Sequence, residues 1–314
     1  MEAMAYLLLL DRRLSEGARR LPEPFRLRQT RFVTGCRQSD GGFAGRAGPS
    51  DLYYTRFALD ALTVLGVPGD DAVWHRAADY LRAAPPEPAD LPDCLSLLHS
   101  IHLLEAAGAS PFCCDARRRD GLERVGAYVR RCRAPDGGYA ATPGGTPGPY
   151  HTFLAALCCE LLGEPVAEAA RAADFVLSCS AADGGFAEAP GRPTGQTSPT
   201  AAAGALLLMA GRLDAATARG AACFLMAMQA DDGGLKAHAA APSADLLSTF
   251  TGLVTLASIG ELHSLRLGPA GRFVRSLALP AGGFSAAAAD TEADVEYAFY
   301  GLGSLALLAE AAAR

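Results

Sequence analysis

Lysine is almost missing from this sequence. Lys236 stands alone, and arginine supplies the rest of the 28 positive charges against 34 acidic residues, for a net charge of −6. No basic face is in view, which argues against a nucleic-acid binder. Tryptophan is as scarce: Trp74 is the single one, too few for the aromatic platforms of a sugar cleft. Long apolar runs are lacking too. No run reaches the roughly 18 residues of a transmembrane helix. The start holds only the short run Tyr6 to Leu10 after Glu2, with no clean small-residue cleavage site. It reads as an amphipathic helix and not a signal peptide, so a cytoplasmic chain is expected. Nine cysteines, with Cys113–Cys114 and Cys158–Cys159 adjacent, do not form the framework of a secreted disulfide protein.

What is present is repetition. Asp-Gly-Gly-aromatic or a close variant recurs at Asp40–Phe43, Asp136–Tyr139, Asp183–Phe186 and Asp232–Leu235, with a decayed copy at Ala281–Phe284. The first glycines are spaced by 96, 47, 49 and 49 residues. The first gap is two periods, so one copy has lost its Gly-Gly, and Pro85 to Asp90 takes its place. Before each site runs an amphipathic stretch ending in an aromatic-aliphatic pair: Phe32-Val33, Tyr80-Leu81, Tyr128-Val129, Phe175-Val176, Phe224-Leu225, Phe273-Val274. After it come a Pro/Gly-rich loop and an alanine- and leucine-rich stretch closed by Gly66, Gly108, Gly163, Gly211 or Gly260, a helix-ending signal. Cys36, Cys132 and Cys179 fall at one slot of the repeat, filled elsewhere by Met228 and Leu277. A slot that accepts Cys, Met or Leu is a packing position.

Self-similarity at this period signals stacked supersecondary units. The expectation is one all-α domain over 1–314: an N-terminal helix within 1–21, then six helix–loop–helix repeats over 22–314. Six pairs can form an open solenoid or a closed α/α toroid. A solenoid needs polar end caps, and Val295 to Ala313 is apolar, so a closed α6–α6 barrel is expected. The more apolar second helices would be inner, their N-termini rimming one mouth.

The repeat resembles that of protein prenyltransferase β subunits and squalene–hopene (terpene) cyclases, over about Pro22 to Glu310. Gly41-Gly42-Phe43-Ala44-Gly45-Arg46, followed by Asp51-Leu52-Tyr53-Tyr54, is similar to the transferases' Gly-Gly-Phe/Leu-x-Gly-Arg, Lys and Asp-x-Cys-Tyr. There the arginine, lysine and tyrosine hold a prenyl diphosphate, and Asp and Cys bind zinc. Pro149-Tyr150-His151-Thr152 is similar to a Pro-Phe-His-Thr whose histidine binds zinc. This sequence departs from the pattern: Tyr53 replaces the zinc cysteine, the lysine has no equivalent, and the cyclases' Asp-x-Asp-Asp is absent. The resemblance implies a toroid that processes an isoprenoid, a prenyl diphosphate or polyprenyl chain. A separately encoded partner subunit would accompany transfer to a protein.

Registered on their terminal glycines, the second helices begin near Asp51, Asp93, Gly148, Gln196, Asp245 and Asp294. Each aspartate can simply cap its helix, or the set can crowd at one mouth, where a protonated carboxyl could serve as an acid or magnesium could hold a diphosphate. The catalytic candidates are therefore Asp51, His151, Asp245, Asp294 and Glu296. Arg46, Tyr53, Tyr54, Tyr150 and Tyr297 are the substrate-binding candidates. Zinc is expected, if anywhere, on Asp51, Cys94 and His151. His99 and His102, three apart on a helix, read as a buried, hydrogen-bonded pair. Two other readings of the same barrel stay open: a non-catalytic binding or scaffold module, and a hydrolase that uses a carboxylate pair.

Overall fold

The computed structural model describes residues 6–83, 88–112, 114–166 and 169–313. In chain order the helices are α1 (Tyr6–Ala18), α2 (Glu23–Gly35), α3 (Leu52–Leu65), α4 (Ala72–Ala83), α5 (Leu91–Ala106), α6 (Asp115–Arg131), α7 (Pro149–Leu162), α8 (Ala169–Ser178), α9 (Thr197–Met209), α10 (Ala215–Ala227), α11 (Leu246–Ser258), α12 (Leu267–Ser276) and α13 (Val295–Ala311). A 3-10 turn, Leu262–Ser264, joins α11 to α12. Part of the loop that replaces the missing Gly-Gly, residues 84–87, lies outside the described residues.

The odd-numbered helices from α3 to α13 form the inner ring. Each packs on the next, and α13 packs on α3, so the ring closes. Each inner helix carries an outer, even-numbered helix on its far side. The expected toroid is observed, and sequence pattern explains its layers. Inner helices such as α11 and α13 are apolar on nearly every face, as helices buried on all sides must be. Outer helices keep a polar side.

The Gly-Gly turns lock neighbouring copies together. In copy one the carboxylate of Asp40 accepts a hydrogen bond from Gly42 N (3.0 Å) and folds the turn, and Asp136, Asp183 and Asp232 do the same for Gly138, Gly185 and Gly234. The first glycine has a left-handed φ (95° at Gly41) and lies against the backbone of Arg76 on the next outer helix. A Cβ on the second glycine, Gly42, would stand 2.8 Å from the Tyr80 ring. Phe175, Phe224 and Phe273 meet Gly138, Gly185 and Gly234 in the same way. The recurring aromatic is thus the seat for the previous copy's second glycine, Tyr128 excepted, because the copy before it lacks Gly-Gly.

The same contact closes the ring. Gly283 of the last copy lies on Phe32 of the first. That copy has Ala281 where the others have aspartate. Its turn is folded instead by Gln29 of α2, whose side-chain oxygen accepts from Gly283 N at 2.8 Å and which is fully buried. Arg46 adds a second tie, reaching across to Asp290 (2.6 Å) and Asp294 (3.0 Å).

Two predictions concern this seam. Gln29→Ala leaves a buried N–H unpaired and should lower stability by about 1–3 kcal/mol. Arg46→Ala strips the partner from the buried Asp294 and should cost a similar ~1–3 kcal/mol. Arg12→Ala, which breaks an exposed i,i+4 pair, should cost less than ~0.5 kcal/mol. Urea unfolding of the three variants checks this; equal small losses would mean that the seam does not carry the ring.

Candidate functional site

The ring encloses a cavity of about 740 Å³. Every inner helix contributes at helical spacing: Tyr53, Phe57 and Asp60 from α3, Leu95 and His99 from α5, Tyr150 and Leu154 from α7, Ala201 and Ala205 from α9, Phe250 and Val254 from α11, and Glu296 and Tyr300 from α13. The upper end is bordered by Thr146, Pro147 and Glu188, in the loops before α7 and α9. The lower end meets α1 through Tyr6, Leu7, Leu10 and Asp11.

One wall is aromatic. Phe57 meets Tyr53 (4.9 Å between ring centroids), Phe299 (5.7 Å) and Tyr300 (5.3 Å), and Phe250 stacks on Tyr300 at 5.2 Å. Glu296 sits in this wall. Its Oε1 accepts from Tyr53 Oη (2.7 Å) and from Tyr300 Oη (3.0 Å). Burial raises its carboxyl above the ordinary glutamate range, and the two phenols oppose that only in part. With Oε1 engaged twice, Oε2 is the oxygen left to carry a proton.

A second polar cluster lies deeper. Asp60 is seven residues beyond Tyr53, roughly 10 Å along the helix. His99 Nδ1 stands 3.2 Å from Asp60 Oδ1, and its Nε2 stands 3.2 Å from Asp11 Oδ2. Arg56 Nε lies 3.4 Å from Asp60 Oδ2. Burial disfavours a charged His99, yet Asp60 and Asp11 outweigh it and the ring is held above the ordinary histidine value. His99 and Arg56 thus stand opposite the two carboxylates, and burial also pushes the Asp60 carboxyl up, against the pull of His99 and Arg56. Sequence reasoning paired His99 with His102. The structure pairs it with two aspartates instead, because α1 crosses the ring there and brings Asp11 to it.

The sequence-derived candidates fall in different places. Tyr53, Tyr150, His151 and Glu296 line the cavity. Asp51, Asp245 and Asp294 cap their own helices, accepting from the backbone N–H of Tyr54, Ser248 and Tyr297. The cap of α5 is Asp90, not Asp93, because the glycine register is three residues out in the copy that lacks Gly-Gly. Arg46 and Tyr297 belong to the ring seam, the guanidinium lying 5.7 Å over the tyrosine ring. Tyr54 packs on Gly45.

Cys94 belongs to neither rim nor cavity. It is a fully buried residue of α5 itself, four residues after the cap. The same slot holds Thr55, Thr152, Thr200 and Thr249, whose hydroxyls accept from the residue that follows Gly-Gly. Where the Gly-Gly turn is absent, cysteine fills the slot as plain packing. The zinc set Asp51, Cys94 and His151 therefore does not come together. Among the described residues, only Asp11, Asp60 and His99 place three potential ligand atoms within 4.8 Å of one another, and there both ring nitrogens already face carboxylates. Among the described residues no three rim carboxylates come within that distance of one another.

Arg56, Asp60 and Asp11 were not on the sequence-derived list. Their signal was available: charged residues on otherwise apolar helix faces, with Arg56 and Asp60 spaced i,i+4 on an inner helix.

The sequence matches the family described as "Prenyltransferase alpha-alpha toroid domain" over residues 25–104, 87–192 and 149–314. No curated protein matches it. The fold is similar to Candida albicans protein geranylgeranyltransferase-I complexed with GGPP (TM-score 0.70, 15% identity, 90% of each chain). It is also similar to the type II terpene cyclase MstE from Scytonema (TM-score 0.63, 15% identity, 96% of this chain and 99% of that one). A variant of that cyclase in complex with geranylgeranyl dihydroxybenzoate, its substrate, gives TM-score 0.62 at 13% identity, over 98% and 99% of the chains. Among the described residues no helix is long and apolar enough to cross a membrane.

The deep cluster yields a signed pH prediction. A histidine raised above its unfolded value of about 6.5 stabilises the fold fully below that pH, and the contribution is lost as pH rises through the folded value. Wild-type stability should therefore decline above about pH 6.5, and His99→Gln should remove that decline. The substitution also leaves Asp60 and Asp11 short of a cation, at a cost of about 3–5 kcal/mol. Thermal melts between neutral and alkaline pH read both effects; a variant with the wild-type slope would remove His99 as the group responsible.

Proposed function

The chain belongs to the prenyltransferase α–α toroid family, and on that footing we propose that it is an isoprenoid-processing enzyme that seats a polyprenyl chain in the cavity and acts on it by proton transfer from Glu296. The observation that carries this is Glu296 itself: a carboxyl raised by burial, held by two phenols and set in an aromatic wall. A carboxyl whose proton affinity is raised by burial is better suited to act as a general acid than an exposed one. Aromatic faces stabilise the carbocation that protonation of an alkene creates. In this scheme the Glu296 proton moves to one carbon of a double bond, the adjacent carbon becomes cationic, and a second double bond attacks it to close a ring. Loss of a proton from the product cation completes the balance.

The same geometry favours cyclisation over prenyl transfer. Ionising a diphosphate calls for unpaired cations at the leaving group. Among the described residues, Arg56 is the only lysine or arginine that lines the cavity, and it faces Asp60. Arg46, the family's diphosphate arginine by sequence, is neutralised by Asp290 and Asp294. A partner subunit is not required by this reading, and an open cavity is not what a retired, side-chain-filled scaffold would show.

Incubation with geranylgeranyl diphosphate and with geranylgeraniol, followed by mass spectrometry, tests the proposal. An isomeric cyclic product without pyrophosphate release is expected. Glu296→Gln should reduce turnover by about 10²–10⁴-fold, and wild-type turnover should fall as pH rises through the elevated Glu296 value. Pyrophosphate release would turn the reading toward transfer, and a fully active Glu296→Gln would remove the acid.

A further inference from the structure

We infer that α1, which lies outside the six repeats, is the floor of the cavity, and that Leu7 and Leu10 on it set the length of polyprenyl chain that can be seated. The inference rests on the isoprenoid reading above.

A ring of six inner helices builds a wall but no floor. The loops border one end, and the helix C-termini leave the other open. Helix α1 covers that end, and its two halves do different work. The second half is a docking element: Leu14 and Ala18 are fully buried, and Gly17 lies directly on the backbone of Ala306 in α13. The first half spans the opening. Tyr6, Leu7, Leu10 and Asp11 all face the cavity, the i, i+1, i+4, i+5 spacing of one helical face.

The anchors of α1 are polar and reach the C-terminal halves of the inner helices. Arg13 binds Glu310 of α13 (2.6 Å) and the carbonyl of Ala257 in α11 (3.1 Å). Ser15 donates to Thr63 O of α3 (3.3 Å), and Tyr6 N donates to Glu160 of α7 (2.8 Å). Asp11 joins His99 of α5. None of these ties uses the side chain of Leu7 or Leu10. The helix is therefore held by one set of residues and shapes the floor with another, so floor depth can change without releasing the helix. Leu10 is only partly buried and borders open cavity. Shortening it enlarges a space already accessible and leaves no sealed void.

The test is calorimetric binding of farnesol, geranylgeraniol and geranylfarnesol to the full chain. Wild type should prefer one length. Leu10→Ala and Leu7→Ala should move the preference toward the longer homologue, changing the ratio of dissociation constants about tenfold, as burial of several more methylene-sized groups allows. Leu10→Phe should move it toward the shorter one. Thermal melts identify which variants are folded, and any one of the three that folds suffices. An unchanged length preference in a folded variant overturns the floor assignment. Failure of wild type to bind any of the three alcohols overturns the isoprenoid reading and this inference with it.

Discussion

The structure depends on one contact made over and over: two glycines with no side chain, the first laid on the backbone and the second on an aromatic ring of the next outer helix. The space between turn and ring admits no Cβ, so backbone and ring pack at interior density. Because the contact always points from one copy to the next, it specifies a direction of growth. Because the last copy finds its ring on the first, growth stops after six. Gln29 shows how far this closure is built in. The last turn lacks its own aspartate, and a residue from the other end of the chain supplies the missing acceptor.

Closure creates the cavity as a consequence. Six inner helices cannot fill the axis of their own ring, so the side chains that point inward decide what the space is for. Here they supply an aromatic wall around one carboxyl and, lower down, a cluster of four ionisable groups of opposite sign. Charges this deep are costly unless paired. Asp60 faces both His99 and Arg56, and α1, crossing beneath the ring, adds Asp11 on the other side of His99.

The aspartates at the rim show how one residue type can mislead. Asp51, Asp245 and Asp294 recur at one register position because each accepts from the first free N–H groups of its own helix. The carboxyl with a chemical environment is Glu296, which does not recur and which stands within hydrogen-bonding reach of two phenols. Repetition marks what every copy requires for folding; a singular polar residue on an inward face marks what the cavity adds.

Periodicity in the chain was enough to determine six helix–loop–helix copies, and the apolar last stretch favoured closing them into a toroid. The spacing of Gly-Gly, of the aromatic that precedes it and of the closing glycine each reflects a local need, a tight turn or a helix end, that the backbone imposes wherever it occurs. The same register explained Cys132, Cys179, Met228 and Leu277 as buried packing residues. It failed at Asp93, where the missing turn removed the ruler. What only the tertiary structure decided is which side chains meet. Asp11, Asp60 and His99 come from three different helices; Arg46 finds partners more than two hundred residues away; Cys94 turns into the core and not toward Asp51 and His151. These pairings depend on the rotation of each helix about its axis and on where α1 crosses the ring, and neither is written in a repeat.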